Sequence, residues 1–111
     1  MIRISKMSDT KLALSEAGLP SFTAMPVLGR GAGKGGMIKD EEQAELLLEI
    51  PRLKSKRMIT LVVTDDKKEL AVETILKANQ TGKSGDGKIY VINALDSVRV
   101  RTGEMGDITL D

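Results

Sequence analysis

"RMITLVVTDDKKELAVETILKANQTGKSGDGKIYVI", residues 57–92, decides the fold. Residues 57–63 are an apolar, partly β-branched run of strand length, the strongest strand signal in the chain. Asp66 with Glu69 three positions on makes an aspartate version of the capping box. The helix it opens carries Ala71, Val72, Ile75, Ala78 and Asn79 on one face. A glycine-rich loop follows at residues 81–88, and residues 88–92 then turn abruptly apolar and read as a second strand. Strand, helix, loop, strand is one βαβ-like half.

The other half lies upstream. Residues 1–4 look like the end of a strand, and Ser8 or Asp9 can cap a helix with the stripe Thr10, Ala13, Leu14 and Ala17. Gly18 is placed to stop it, and residues 21–28 form a further strand whose Pro26 suits an edge. A long insert, residues 35–55, separates the halves, and residues 98–102 make a last extended piece. The whole reads as one α+β domain over residues 1–111, a ferredoxin-like βαββαβ sandwich with both helices on one face of an antiparallel sheet. Its open face needs a cover, which a trimer turning three sheets inward would supply.

Seventeen basic and 16 acidic side chains nearly cancel, so no bulk field draws the chain to nucleic acid or anionic lipid. Cys and His are both absent, which excludes disulfides, thiolate and imidazole chemistry and the usual zinc ligands. No catalytic residue and no metal ligand is assigned. Without an apolar run of about 18 residues or a signal-peptide pattern, no membrane insertion is expected and a cytoplasmic location is the simplest reading.

Within the glycine loop, residues 82–88 fit G-x-x-x-x-G-K but fail the rest of the P-loop pattern. Ile89 stands where a magnesium-binding hydroxyl is needed, and a strand follows where a helix is needed. An anion site remains open: Gly85 and Gly87 permit backbone N–H groups to converge beside Lys88, although such loops also serve as plain connectors. Arg99 and Arg101 flank Val100, so a strand would project both from one face about 6.6 Å apart. Two such forks suit a polyphosphate, or else surface carboxylates.

"TGKSGDGKIYV" (residues 81–91) followed by "VRVRTGE" (residues 98–104) resembles the two C-terminal signatures of the PII signal-transduction proteins, and "ALSEAGLPSFT" and "VLGRGAGKGG" resemble the first helix, second strand and T-loop entrance of that family. The resemblance implies a trimer that binds ATP or ADP between subunits and controls partners through a mobile T-loop, here about residues 35–55. It places Gly31, Gly85, Asp86, Gly87 and Lys88 in the nucleotide set, Thr23 near the adenine, and Arg99 and Arg101 reaching the phosphates from the neighbouring subunit. Lys56 falls where the family meets 2-oxoglutarate. Where the family often has Arg then Gln, this chain has Ala32 and Gly33, so the glutamine side chain that helps hold magnesium is missing. Thr60 stands where many members have a glutamate near the ribose, and the first strand lacks about half a dozen residues that members have before it.

The only tyrosine is Tyr90, so the T-loop tyrosine that many members have uridylylated is absent. "PRLKSKRMITLVV" and "RTGEMGDITLD" look most like the nitrogenase-linked branch, in which two paralogous PII proteins together inhibit nitrogenase and 2-oxoglutarate relieves the inhibition. Leu46, Leu47, Leu48 and Ile50 are apolar for a solvated loop and read either as a partner-docking patch or as residues folded back on the trimer. The expected function is thus non-enzymatic nucleotide sensing, as homotrimer or hetero-oligomer, with nitrogenase as target. A PII regulator of an ammonium or other transporter, a small ATP-hydrolysing enzyme and a purely structural oligomer are the competing readings.

Overall fold

A computed structural model describes residues 1–29 and 53–110. Strand β1 (Ile2–Arg3) leads through a 3-10 turn at Ile4–Lys6 into helix α1 (Met7–Glu16), and β2 (Thr23–Gly29) follows. Strand β3 (Lys54–Thr60) then passes through a second 3-10 turn, Asp65–Lys67, into α2 (Lys68–Asn79). The sheet order is β1-β3-β2 with both pairings antiparallel, Ile2 opposite Arg57 and Thr23 opposite Thr60. These are the ferredoxin-like α+β elements that the periodicity predicts.

Helix α1 ends as its sequence dictates. Gly18 takes φ 79, Gly18 N–H bonds Ser15 O at 3.1 Å and Leu19 N–H bonds Leu14 O at 2.8 Å, the paired closure of a Schellman motif. Leu19 is thereby turned back onto Leu14, and the two form the core with Ala71. Ala17, Phe22, Leu61, Val63 and Ile75 pack around them. At one end of the helix pair, Asn79 Nδ2 donates to Thr10 Oγ1 at 2.9 Å and to Ile75 O at 2.9 Å, with both residues buried.

The helix starts differ from the reading above. Neither Ser8 nor Asp9 caps α1; the N-cap position is Lys6, without a side-chain bond. The Asp66–Glu69 box is not formed either, because the chain tightens from Thr64 into a 3-10 turn whose Lys67 N–H already bonds Thr64 O at 3.0 Å. Thr64 Oγ1 donates to Asp66 instead.

The strands differ more. β3 runs three residues earlier than the apolar run suggests, since β2 ends its ladder at Thr23 opposite Thr60. Leu61 and Val63 stay half-buried without a ladder, so apolarity tracked burial rather than pairing. Residues 88–92 do not form the predicted strand. The edge of β1 beside them is two residues long, and the hydrogen bond at this junction runs from the Met1 amino group to Lys88 O at 2.9 Å. Ile92 is consequently 84% exposed. Between this segment and β3 lies a cleft of ≈ 640 Å³ lined by Ile59, Leu61, Val63, Ile75, Ile89 and Val91 among others.

Candidate functional site

The glycine loop is an ordered structure held from three sides. Gly82, Gly85 and Gly87 have φ of 80, 98 and 104, which L side chains rarely adopt. At Gly87 a Cβ would lie 1.8 Å from Met1 O, so the site needs glycine for close approach as well as for conformation.

Asp86 organises the turn. Its Oδ2 accepts from Thr81 N–H at 2.8 Å and Gly82 N–H at 3.0 Å, and its Oδ1 accepts from the Thr81 hydroxyl and Arg3 Nη1, each at 2.5 Å. The carboxylate is committed inside the loop. It shapes the loop through these bonds, whereas the sequence grouped it with the ligand contacts. Arg3 Nη2 adds a bond to Ser84 O at 2.8 Å, and Lys56 Nζ donates to Gly85 O at 2.8 Å. In the register of the sheet Arg3 and Lys56 are opposite one another on β1 and β3, so both reach the loop from the same face.

The Thr81 hydroxyl and backbone, then the Arg3 guanidinium, hold the Asp86 carboxyl well below the usual carboxylate range. A carboxylate whose folded pKa is lowered contributes stability that is fully present above its unfolded value, about 3.9, and is lost as pH falls through the folded value. Asp86→Asn should therefore flatten the acid limb of the stability profile. Thermal melts from about pH 7 down to about pH 3 should show wild type losing more of its Tm than the variant. Parallel acid limbs would remove Asp86 as the organiser.

Arg99 and Arg101 do not project together from a strand. Thr102 N–H and Gly103 N–H both bond Arg99 O, at 3.3 and 2.7 Å, and Gly103 adopts φ 75, so the chain reverses tightly after Arg99. A lone Val98–Met105 bridge closes this turn in place of the extended piece predicted over residues 98–102. Arg99 Nη1 pairs with Glu104 Oε1 at 2.8 Å. Arg101 is exposed in the turn and has no hydrogen bond or ion pair with the other described residues.

Thr23 opens β2 opposite Thr60, and both are exposed. Lys56 lies within β3 rather than before it. Gly31, Ala32, Gly33, Leu46, Leu47, Leu48 and Ile50 lie outside the described residues. Sequence reasoning missed Arg3 and Thr81. The one signal for Arg3 was a charged residue between Ile2 and Ile4 in a strand otherwise bound for the core.

The family model described as "Nitrogen regulatory protein P-II" matches residues 1–104. The chain belongs to the PII family. Among PII relatives, the "Nitrogen fixation nifHD region glnB-like protein 2" of Methanococcus maripaludis is 43% identical over 115 residues, covering 99% of this chain and 95% of the relative. The nifHD region GlnB-like protein 2 of Methanobacterium ivanovii is 45% identical over 112 residues, covering 96% and 92%. A crystal structure of Arabidopsis thaliana PII bound to citrate matches with a TM-score of 0.75 at 28% identity, covering 96% of this chain and 81% of that one. The PII assignment thus rests on both sequence and fold. No helix among the described residues is long and apolar enough to cross a membrane.

Proposed function

We propose that this PII chain is a nucleotide-sensing regulator that binds ATP or ADP and acts on nitrogenase. The observation that carries the reading is the preorganised glycine loop: three left-handed glycines, fixed by Asp86, Arg3 and Lys56, leave Lys88 exposed at its end. Backbone N–H groups held in such a loop, with a lysine beside them, suit phosphate oxygens. Arg101, exposed on its turn, supplies a further fork when a second subunit brings it to the loop, which makes an oligomer part of the site. A homotrimer or a hetero-oligomer with a paralogous PII chain meets that need.

Thr23 and Gly31 belong to the same nucleotide set, and Lys56 is the 2-oxoglutarate residue. The dicarboxylate would take the Lys56 ammonium from Gly85 O, while Asp86 offers no vacant oxygen, so magnesium would enter with the nucleotide. The nif-region names of the relatives support nitrogenase as the target, with Leu46, Leu47, Leu48 and Ile50 as the docking patch, in a cytoplasmic regulator. Residues 89–97 form no helix, which disfavours a nucleotide-hydrolysing P-loop.

Calorimetric titration with ATP, ADP and 2-oxoglutarate tests the reading. Arg101→Ala should weaken ATP binding by at least about 1.5 kcal/mol, roughly tenfold, the scale of one charged hydrogen bond. Unchanged ATP affinity in a folded Arg101→Ala protein would remove Arg101 from the site, and no binding of either nucleotide by the wild type would remove the reading.

A further inference from the structure

We propose that Glu104 is an internal rival of the nucleotide phosphates for Arg99, and so sets how tightly the chain holds ATP. This rests on the nucleotide reading above and adds to it a residue that acts against the ligand. The Arg99 fork is engaged at both ends, by its own turn and by the segment just after it. Nη1 donates to Glu104 Oε1 at 2.8 Å and Nη2 to Ile108 O at 3.1 Å.

The rival carboxylate is itself held in place. The Thr102 hydroxyl donates to the same Oε1 at 2.8 Å, and Glu104 N–H returns a bond to Thr102 Oγ1 at 3.2 Å. Arg99 N–H bonds Glu104 O at 2.8 Å, and the Val98–Met105 bridge closes the turn around all three residues. Such a carboxylate pays little further ordering entropy to keep Arg99, because the turn has already fixed it. Phosphate approaching Arg99 must either displace Glu104 from the guanidinium or bind with a like charge beside it. Both oppose binding. With Nη1 and Nη2 both engaged, the guanidinium must give up contacts within its own chain before it can grip a phosphate.

The test is ATP titration of wild type and Glu104→Gln, a variant that keeps the size and hydrogen-bonding oxygen but removes the charge. Glu104→Gln should bind ATP roughly two- to fivefold more tightly, the range of an exposed ion pair, and the gain should shrink as salt is raised. In an Arg99→Ala background the same substitution should gain clearly less, because only the like-charge repulsion is left to relieve, a coupling that a general effect on turn stability would not produce. Thr102→Val, which only loosens the carboxylate, should shift affinity in the same direction by less and keeps the test available if Glu104→Gln folds poorly. ATP binding by Glu104→Gln that is equal or weaker overturns the proposal and makes Glu104 a residue that holds Arg99 in position. Absence of ATP binding in the wild type overturns the nucleotide reading as well, and so separates the two failures.

Discussion

Gly87→Ala should lower the Tm by about 10 °C or more and detach the glycine loop from the sheet. Two penalties coincide there. The φ of 104 is a conformation an L side chain adopts only at a cost of about 1–3 kcal/mol. The new Cβ would also sit 1.8 Å from Met1 O, a backbone atom that cannot swing aside as a side chain can. Moving either segment to relieve the clash breaks the Met1 amino bond to Lys88 O and disturbs the Arg3 and Lys56 contacts to the neighbouring residues. A combined cost of at least about 2 kcal/mol corresponds to roughly 10 °C for a domain of this size. Gly103→Ala is the control, since its φ is 75 but nothing lies within 4 Å of its Cβ position. Equal melting temperatures for the two variants would show that the close approach to Met1 carries no weight.

A six-residue strand grafted ahead of Met1 should raise the Tm by a comparable amount. Continued from the pairing of Ile2 with Arg57, which sets Met1 opposite Met58, the graft would run antiparallel past residues 59–64 and bring its other edge to residues 88–92. Ile2 is buried, so valines at the first, third and fifth positions before Met1 fall on its face and enter the ≈ 640 Å³ cleft. Three buried valines and a row of ladder bonds, set against the entropy of ordering six residues, leave a net gain of about 3 kcal/mol. The graft also carries the ammonium away from its present place, where burial and then the Lys56 charge hold it below its ordinary pKa. Hydrogen exchange should show new protection at residues 89–92. A second graft with the valines shifted by one position turns them to the opposite face and should give no such gain. If both grafts melt alike, the cleft does not accept a strand.

The helices were legible because their information is local. A stripe at 3.6-residue spacing named Thr10 and Leu14 as inward, and both are buried; Gly18 marked the end that a Schellman motif then closes. Strand limits depend on partners far away in sequence. Residues 88–92 have strand composition yet lack a long enough neighbour, and Leu61 and Val63 are apolar because they face the core, with no ladder to extend. In the candidate site the glycines and Lys88 were visible as a motif, but the groups that fix the loop were not. Arg3 and Asp86 are 83 positions apart, and Lys56 is 29 from Gly85. The tight turn after Arg99 was missed because residues 98–102 were read as one extended piece, although the Gly103 that follows permits reversal.

The contact between Asn79 and Thr10 has a meaning apart from its strength. Two short helices packed through Leu14, Ala17, Ala71 and Ile75 meet by apolar contacts, which are non-directional and resist a slide of one turn, about 5.4 Å, less selectively than a hydrogen bond does. Such a slide would set Asn79 opposite Leu14, leaving its amide hydrogens without the Thr10 oxygen at a cost of about 1–3 kcal/mol. The correctly aligned pair gains little from the bond, but every misaligned pair loses by it. Asn79 and Thr10 therefore act as an address, marking one alignment of the two helices by a bond that only that alignment satisfies.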